Sequence, residues 1–273
     1  RAELEAFVDG WVKDAMAREH VAGAAVAVVQ GGQVALKKGY GFADLSPPRP
    51  VDPDRTLFRI GSISKTFTWI LAMREVEKGR MALDRPINTY LPERVQVRDQ
   101  GYRRPVTLRT LMDHSPGFED RALGQLFERD ANRVRPLDLY LRQERPDRVR
   151  ATGVRSSYSN YGTALAGLAV ANLNGKPFED LVEAEITGPL GMTHTTFREA
   201  RPDRRGLPDA MPAALREDVA KGWWWRGDRF VARPYEYIGQ IGPAGSASST
   251  SADMARYMLM MLGDGTLDGV SIY

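Results

Sequence analysis

Apolar residues recur at helical spacing from the start of the chain. Leu4, Phe7, Val8, Trp11, Val12, Ala15 and Met16 predict an amphipathic helix over residues 2–19. Two apolar stretches, 21–29 and 34–41, flank Gln30-Gly31-Gly32-Gln33 and predict a β-hairpin with a glycine turn. Ser46-Pro47-Pro48-Arg49-Pro50 reads as a loop. Phe58-Arg59-Ile60 reads as a short strand, Gly61 as a tight turn and Ser62 as a helix N-cap. The run over 66–73 is apolar on most sides, the mark of a buried helix, and Gly79 is placed to end it. Short helices and loops are expected over 105–155. Helices are expected over 161–174 and 178–186, with Gly175 and Pro189 as stops. Residues 221–232 predict a hairpin around Arg226-Gly227-Asp228. Thr250-Ser251-Ala252-Asp253 caps a final helix bearing Met254, Tyr257, Met258, Met261 and Leu262. No internal repeat is evident.

Two early strands, a long helical middle and a late return to strand predict an α/β (α+β) fold. An antiparallel sheet is flanked by helices and joined to a mostly helical part. The expected organisation is one domain over 1–273, with 1–60 and about 221–273 forming the α/β part and 61–220 the helical part. Composition fits a globular protein: 273 residues are 42% apolar and 27% charged. A net charge of +3 gives no reason to expect nucleic acid as a partner, although arginine outnumbers lysine 31 to 7. With zero cysteines, disulfides and thiolate metal sites are excluded. No stretch reaches the length of a membrane helix, so any membrane anchoring is expected only through segments outside this chain. No signal peptide opens the sequence. The chain begins at Arg1, and a preceding segment is expected.

Candidate chemistry centres on Ser62-Ile63-Ser64-Lys65. Serine and lysine three apart share a helix face, so the amine reaches the hydroxyl. A serine hydroxyl is a weak nucleophile until a neighbour activates it, and Lys65 is such a neighbour without any histidine. The three histidines, His20, His114 and His194, lie outside any nucleophile-elbow context. A cation at the start of a buried helix opposes the helix dipole, which argues that Lys65 has a partner or a task. The alternative is a plain N-cap followed by a solvent-facing lysine.

Taken together, the motifs resemble the serine β-lactamase and penicillin-binding-protein superfamily, on the branch related to class C β-lactamases. Ser62-x-x-Lys65 matches its first signature and Tyr158-Ser159-Asn160 its second, in the Tyr-x-Asn form. Further likenesses are Leu111-Met112-Asp113-His114-Ser115-Pro116-Gly117, Gly188-Pro189-Leu190-Gly191-Met192, Gly242-Pro243-Ala244-Gly245, Ser249-Thr250 and Asp253-Met254. The resemblance implies a serine hydrolase with a Ser62 acyl-enzyme. Lys65 and Tyr158 are the catalytic partners, Asn160 is the substrate-binding residue, and neither cofactor nor metal is implied. Tyrosine beside cations can take and return a proton, and Asn160 can hold both Lys65 and a substrate carbonyl. β-Lactam or D-amino-acid peptide hydrolysis is ranked first. The alternatives are an esterase of the same family or a non-catalytic binding or scaffold protein. The partner is a small-molecule or peptide substrate, and the resemblance implies a bacterial, periplasmic or secreted setting. The third signature, Lys/His-Thr/Ser-Gly, does not occur between Asp253 and Tyr273. It is expected on strands that complete the sheet after this chain.

Other conspicuous residues carry plainer readings. His114 reads as a turn residue. Trp223-Trp224-Trp225 reads as a packed hairpin, one face of which is available to line a cleft. Nine arginines against five acids over 121–155 read as a solvated helical surface.

Overall fold

The computed structural model describes residues 2–119 and 126–273, so the part of the 105–155 expectation that falls on 120–125 lies outside the described residues. Helix α1 (Ala2–Glu19) leads into β1 (Gly23–Gln30) and β2 (Gln33–Leu45), an antiparallel hairpin turning at Gly31-Gly32 as expected. Strand β3 (Pro48–Pro50) pairs antiparallel with the far end of β2, where a loop was expected. The sheet order is β1-β2-β3. Its prolines are tolerated because β3 is an edge strand, where a missing N–H breaks no second ladder. Among the described residues the outer edge of β1 carries no strand.

Helix α1 lies on one face of this sheet. Lys38 donates to Glu5 and Asp9, each at 2.8 Å, and the Tyr40 hydroxyl donates to Asp9 at 2.8 Å. Val12 is buried, but Phe7 and Trp11 are 72% and 67% exposed, so only part of the predicted apolar stripe faces the protein.

Strand β4 (Phe58–Arg59) pairs with β7 (Ser248–Ser249), bringing residues almost two hundred apart onto one ladder. Gly61–Ile63 then forms a 3₁₀ turn, and α2 runs Ser64–Glu77. The N-cap expectation for Ser62 is therefore corrected. Ser62 sits inside the turn and caps nothing, which frees its hydroxyl. The helical part follows with α3 (Leu108–Met112), α4 (Leu137–Gln143), α5 (Asn160–Asn174) and α6 (Phe178–Val182). The helix expected to reach Ile186 passes instead into a π turn over Glu183–Thr187, closed by Gly188 N–H donating to Glu183 O at 2.9 Å. Helix α5 is buried from Tyr161 to Ala171, and its Gly and Ala positions let neighbours approach on every side. Phe67 of α2, Leu111 of α3 and Leu141 of α4 share the core with its Leu165.

The chain returns through α7 (Ala213–Arg216), the hairpin of β5 (Trp223–Arg226) and β6 (Arg229–Ala232), and α8 (Ser251–Leu262). Thr250 caps α8 by accepting from the Asp253 N–H. Ala255, Tyr257 and Met260 form its buried face, whereas Met261 and Leu262 are exposed, contrary to the predicted stripe. The short pair β8 (Thr266–Leu267) and β9 (Val270–Ser271) follows. Arg148 departs from the solvated-surface reading of 121–155. It is 6% exposed and donates to the carbonyls of Asp99, Tyr102 and Arg104, tying two loops together.

Candidate active site

Three elements converge at the N-terminal end of α2. Gly61 adopts φ +53, a left-handed conformation suited to glycine, and swings the chain from β4 into the turn that presents Ser62. Ser62 is exposed and Ser64 is fully buried, so the two serines of the motif separate cleanly. Ser64 Oγ accepts the Ala247 N–H at 3.1 Å, and Thr68 Oγ1 donates to Pro243 O at 2.8 Å. These bonds dock α2 against residues 243–247.

Lys65 is 4% exposed. Its Nζ donates to Ser62 Oγ at 3.1 Å, to Asn160 Oδ1 at 2.7 Å and to Ala244 O at 2.7 Å. An ammonium has three N–H groups, and three acceptors meet them. Burial pulls the Lys65 pKa below its ordinary value, and the hydrogen bond and charge of Tyr158 oppose this. The Tyr158 hydroxyl lies 2.6 Å from Ser62 Oγ, and Lys65 Nζ sits 4.7 Å from the centre of its ring. Asn160 opens α5, and Ser159, not Asn160, is the N-cap, accepting from Gly162 N–H at 3.0 Å. That frees the Asn160 side chain for Lys65. All four residues singled out in the sequence, Ser62, Lys65, Tyr158 and Asn160, thus meet in one place.

Ser62, Asn160, Ala244 and Gly245 line a cleft of about 830 Å³, within the range of small-molecule sites. Arg59, Tyr235 and Glu236 form part of its wall. The Arg59 guanidinium donates to Glu236 O at 2.6 Å and lies 5.0 Å from the centre of the Tyr235 ring. The tryptophans are not among the lining residues. Trp225 stacks on His20 at 4.1 Å, and Trp224 lies between Arg226 and Arg233, which corrects the idea that their strand faces the cleft. Among the described residues no group of three His, Asp or Glu side chains converges as a metal site.

Sequence reasoning missed the Ala244 carbonyl and the anchoring by Ser64 and Thr68. The Gly242–Gly245 likeness marked that segment, but a backbone acceptor has no side-chain signature.

An esterase, EstB, of Burkholderia gladioli is 30% identical over 227 residues, covering 79% of this chain and 57% of that protein. A β-lactamase of Pseudomonas fluorescens is 32% identical over 193 residues, covering 71% of this chain and 51% of that protein. The chain thus spans little more than half the length of these relatives. The crystal structure of a D-alanine carboxypeptidase, AmpC, from Burkholderia cenocepacia superimposes with a TM-score of 0.74 at 29% identity, covering 99% of this chain and 67% of that one. Residues 8–271 match the family model described as Beta-lactamase, and the chain belongs to that family.

Proposed function

We propose that the chain carries the acylating centre of a serine hydrolase, with Ser62 as nucleophile, Tyr158 as proton carrier, Lys65 as a buried cation and Asn160 as the group that holds Lys65. The observation that carries this reading is the placement of Ser62 Oγ between Lys65 Nζ at 3.1 Å and Tyr158 Oη at 2.6 Å on the cleft wall. With Lys65 held as a cation beside it, Tyr158 acts in its phenolate form, takes the Ser62 hydroxyl proton and becomes the neutral phenol. Ser62 Oγ attacks the substrate carbonyl carbon, and the Ser62 backbone N–H faces the oxyanion that forms. Collapse expels the leaving group, which takes the proton from Tyr158. Water, losing a proton to Tyr158, then attacks the acyl-enzyme, and Ser62 Oγ leaves with the proton returned by Tyr158 as the acid is released.

The substrates we favour are β-lactams or D-amino-acid peptides, supported by the β-lactamase relative and the carboxypeptidase likeness. An esterase is the second reading, favoured by the EstB relative. The family resemblance supports a periplasmic or secreted setting, and among the described residues no helix is long and apolar enough to cross a membrane. Mass spectrometry after incubation with a fluorescent penicillin and, separately, a fluorophosphonate tests the proposal. The expected adduct is on Ser62. Labelling elsewhere, or with neither probe, favours a scaffold protein.

A further inference from the structure

We propose that His114 is a positioning residue for the acylation step: its neutral imidazole holds the Tyr158 hydroxyl against Ser62, and its protonation releases that hold. The inference rests on the reading of Ser62 and Tyr158 given above.

The first observation is strain. His114 follows α3 with φ +57, in the left-handed region. A residue other than glycine is strained there, so glycine would make this turn more cheaply.

The second is how segment 156–159 is fastened. Ser157 N–H donates to His114 O at 2.6 Å, and Ser159 N–H donates to His114 Nδ1 at 3.1 Å. The two bonds straddle Tyr158. Ser156 Oγ adds a bond to Asp113 O at 2.8 Å. The imidazole also packs on the Tyr158 ring, with centres 4.7 Å apart and planes tilted by 33°. Tyr158 is 46% exposed, so its position depends on the few groups that touch it. Among the described residues these include His114 on one side and Lys65 and Ser62 on the other.

The third is the tautomer. Nδ1 accepts from an N–H, so the ring proton resides on Nε2. A proton added at Nδ1 would point at the Ser159 N–H, turning an attraction into a clash of donors. The charged groups facing the ring are Lys65 of α2, across Tyr158, and the neighbouring Asp113. The Asp113 carboxylate already accepts from Ser115 N–H and Oγ. Burial, then the Lys65 charge, lowers the His114 pKa, while Asp113 acts in the opposite sense. The neutral form therefore holds at neutral pH and is lost on acidification below about 6.5, the ordinary value.

The test is a pair of variants read by acylation rate against pH. In His114→Asn, Oδ1 stands where Nδ1 stood, tolerates the left-handed backbone and does not protonate. It should acylate within a few-fold of the parent at neutral pH and lose the parent's fall in rate on acidification below pH 6.5. His114→Gly relieves the strain but removes the acceptor. It should unfold no more readily than the parent yet acylate roughly 10- to 100-fold more slowly, the scale of a misplaced reacting group. An unchanged acid limb in His114→Asn, or parent-like acylation by His114→Gly, overturns the proposal. If the parent never forms an acyl-enzyme, the reading of Ser62 fails, and nitrogen NMR still decides this one. Nδ1 must appear as the unprotonated nitrogen, and the Ser159 amide must titrate with His114. An Nδ1-protonated ring at neutral pH overturns it whatever the turnover.

Discussion

Lys65 Nζ and the Ala244 carbonyl oxygen lie 2.7 Å apart across 179 residues of sequence. This bond joins the start of α2 to the segment leading into β7, and it satisfies one of three N–H groups on a buried ammonium. Ser64 and Thr68 fasten the same two segments a turn further on. The electrostatics at Ser62 are thus set by how residues 243–247 pack, as much as by the Ser-x-x-Lys motif itself.

That packing has a weak point at Gly167 of α5. A Cβ there would fall 2.5 Å from both Cβ and Cγ of Pro243, the residue before Ala244. Gly167→Ala should therefore push Pro243 outward, destabilise the fold by about 1–3 kcal/mol and slow acylation. Gly10 of α1 has nothing within 4 Å, and Gly10→Ala serves as the control with normal acylation. Urea unfolding and single-turnover labelling measure the two effects. A Gly167→Ala protein of parental stability and rate would show that the Pro243 segment moves aside freely.

Lys65 and Tyr158 should prove coupled. Lys65→Ala and Tyr158→Phe are each expected to slow acylation by on the order of 10²–10⁴. The double variant should be little worse than the poorer single one, since both groups act on the Ser62 proton. Single-turnover kinetics with one ester and one β-lactam supply the comparison. Additive losses would mean that the two residues serve separate steps.

How much of this was legible in the sequence depends on distance along the chain. Ser62 and Lys65 were legible because helical geometry alone puts them together. Tyr158 and Asn160 were found through the likeness of the Tyr-x-Asn motif, and the fold brings both to Lys65. The Ala244 carbonyl was not legible, because any residue presents a carbonyl and only the β4–β7 pairing puts this one in place. His114 was read as a turn residue, and it is in a turn. Its contact with Tyr158 arises from tertiary packing between segments that no local pattern links. Strand β3 was missed because Pro47, Pro48 and Pro50 are strong loop signals, and only its pairing with β2 overrides them. Phe7, Trp11, Met261 and Leu262 have core-like spacing yet are exposed among the described residues.

Glu179 gives a stability prediction independent of Ser62. It lines a second, smaller cavity of about 430 Å³ away from the cleft. Burial raises its pKa from the ordinary 4.5 to about 7, against the pull of Arg198 and Arg201. Between those values the folded protein holds a proton that the unfolded chain has released. Its contribution is therefore fully present below pH 4.5 and is lost as pH rises through 7, by about 3 kcal/mol. Glu179→Gln removes this dependence and should gain on the parent at pH 8 relative to pH 5. Urea unfolding at both pH values is the measurement. An equal difference between parent and variant at the two values would mean that Glu179 titrates normally in the folded protein.

Asn160 separates the two roles open to Lys65. Its Oδ1 is one of three acceptors around the ammonium, and Asn160→Ala leaves one buried N–H unpaired. The charged form loses support that the neutral amine needs less, so the Lys65 pKa falls further. If Lys65 works as a cation that stabilises the ionised Tyr158 oxygen receiving the Ser62 proton, activity ends where Lys65 loses its charge. The alkaline limb of the acylation rate should then move to lower pH, while the acid limb stays. If Lys65 is itself the base, the neutral amine is the active form, and the acid limb should move to lower pH instead. The three donated hydrogen bonds favour the first outcome. An acid limb that shifts in Asn160→Ala while the alkaline limb holds would assign the proton to Lys65 and leave Tyr158 as the donor to the leaving group.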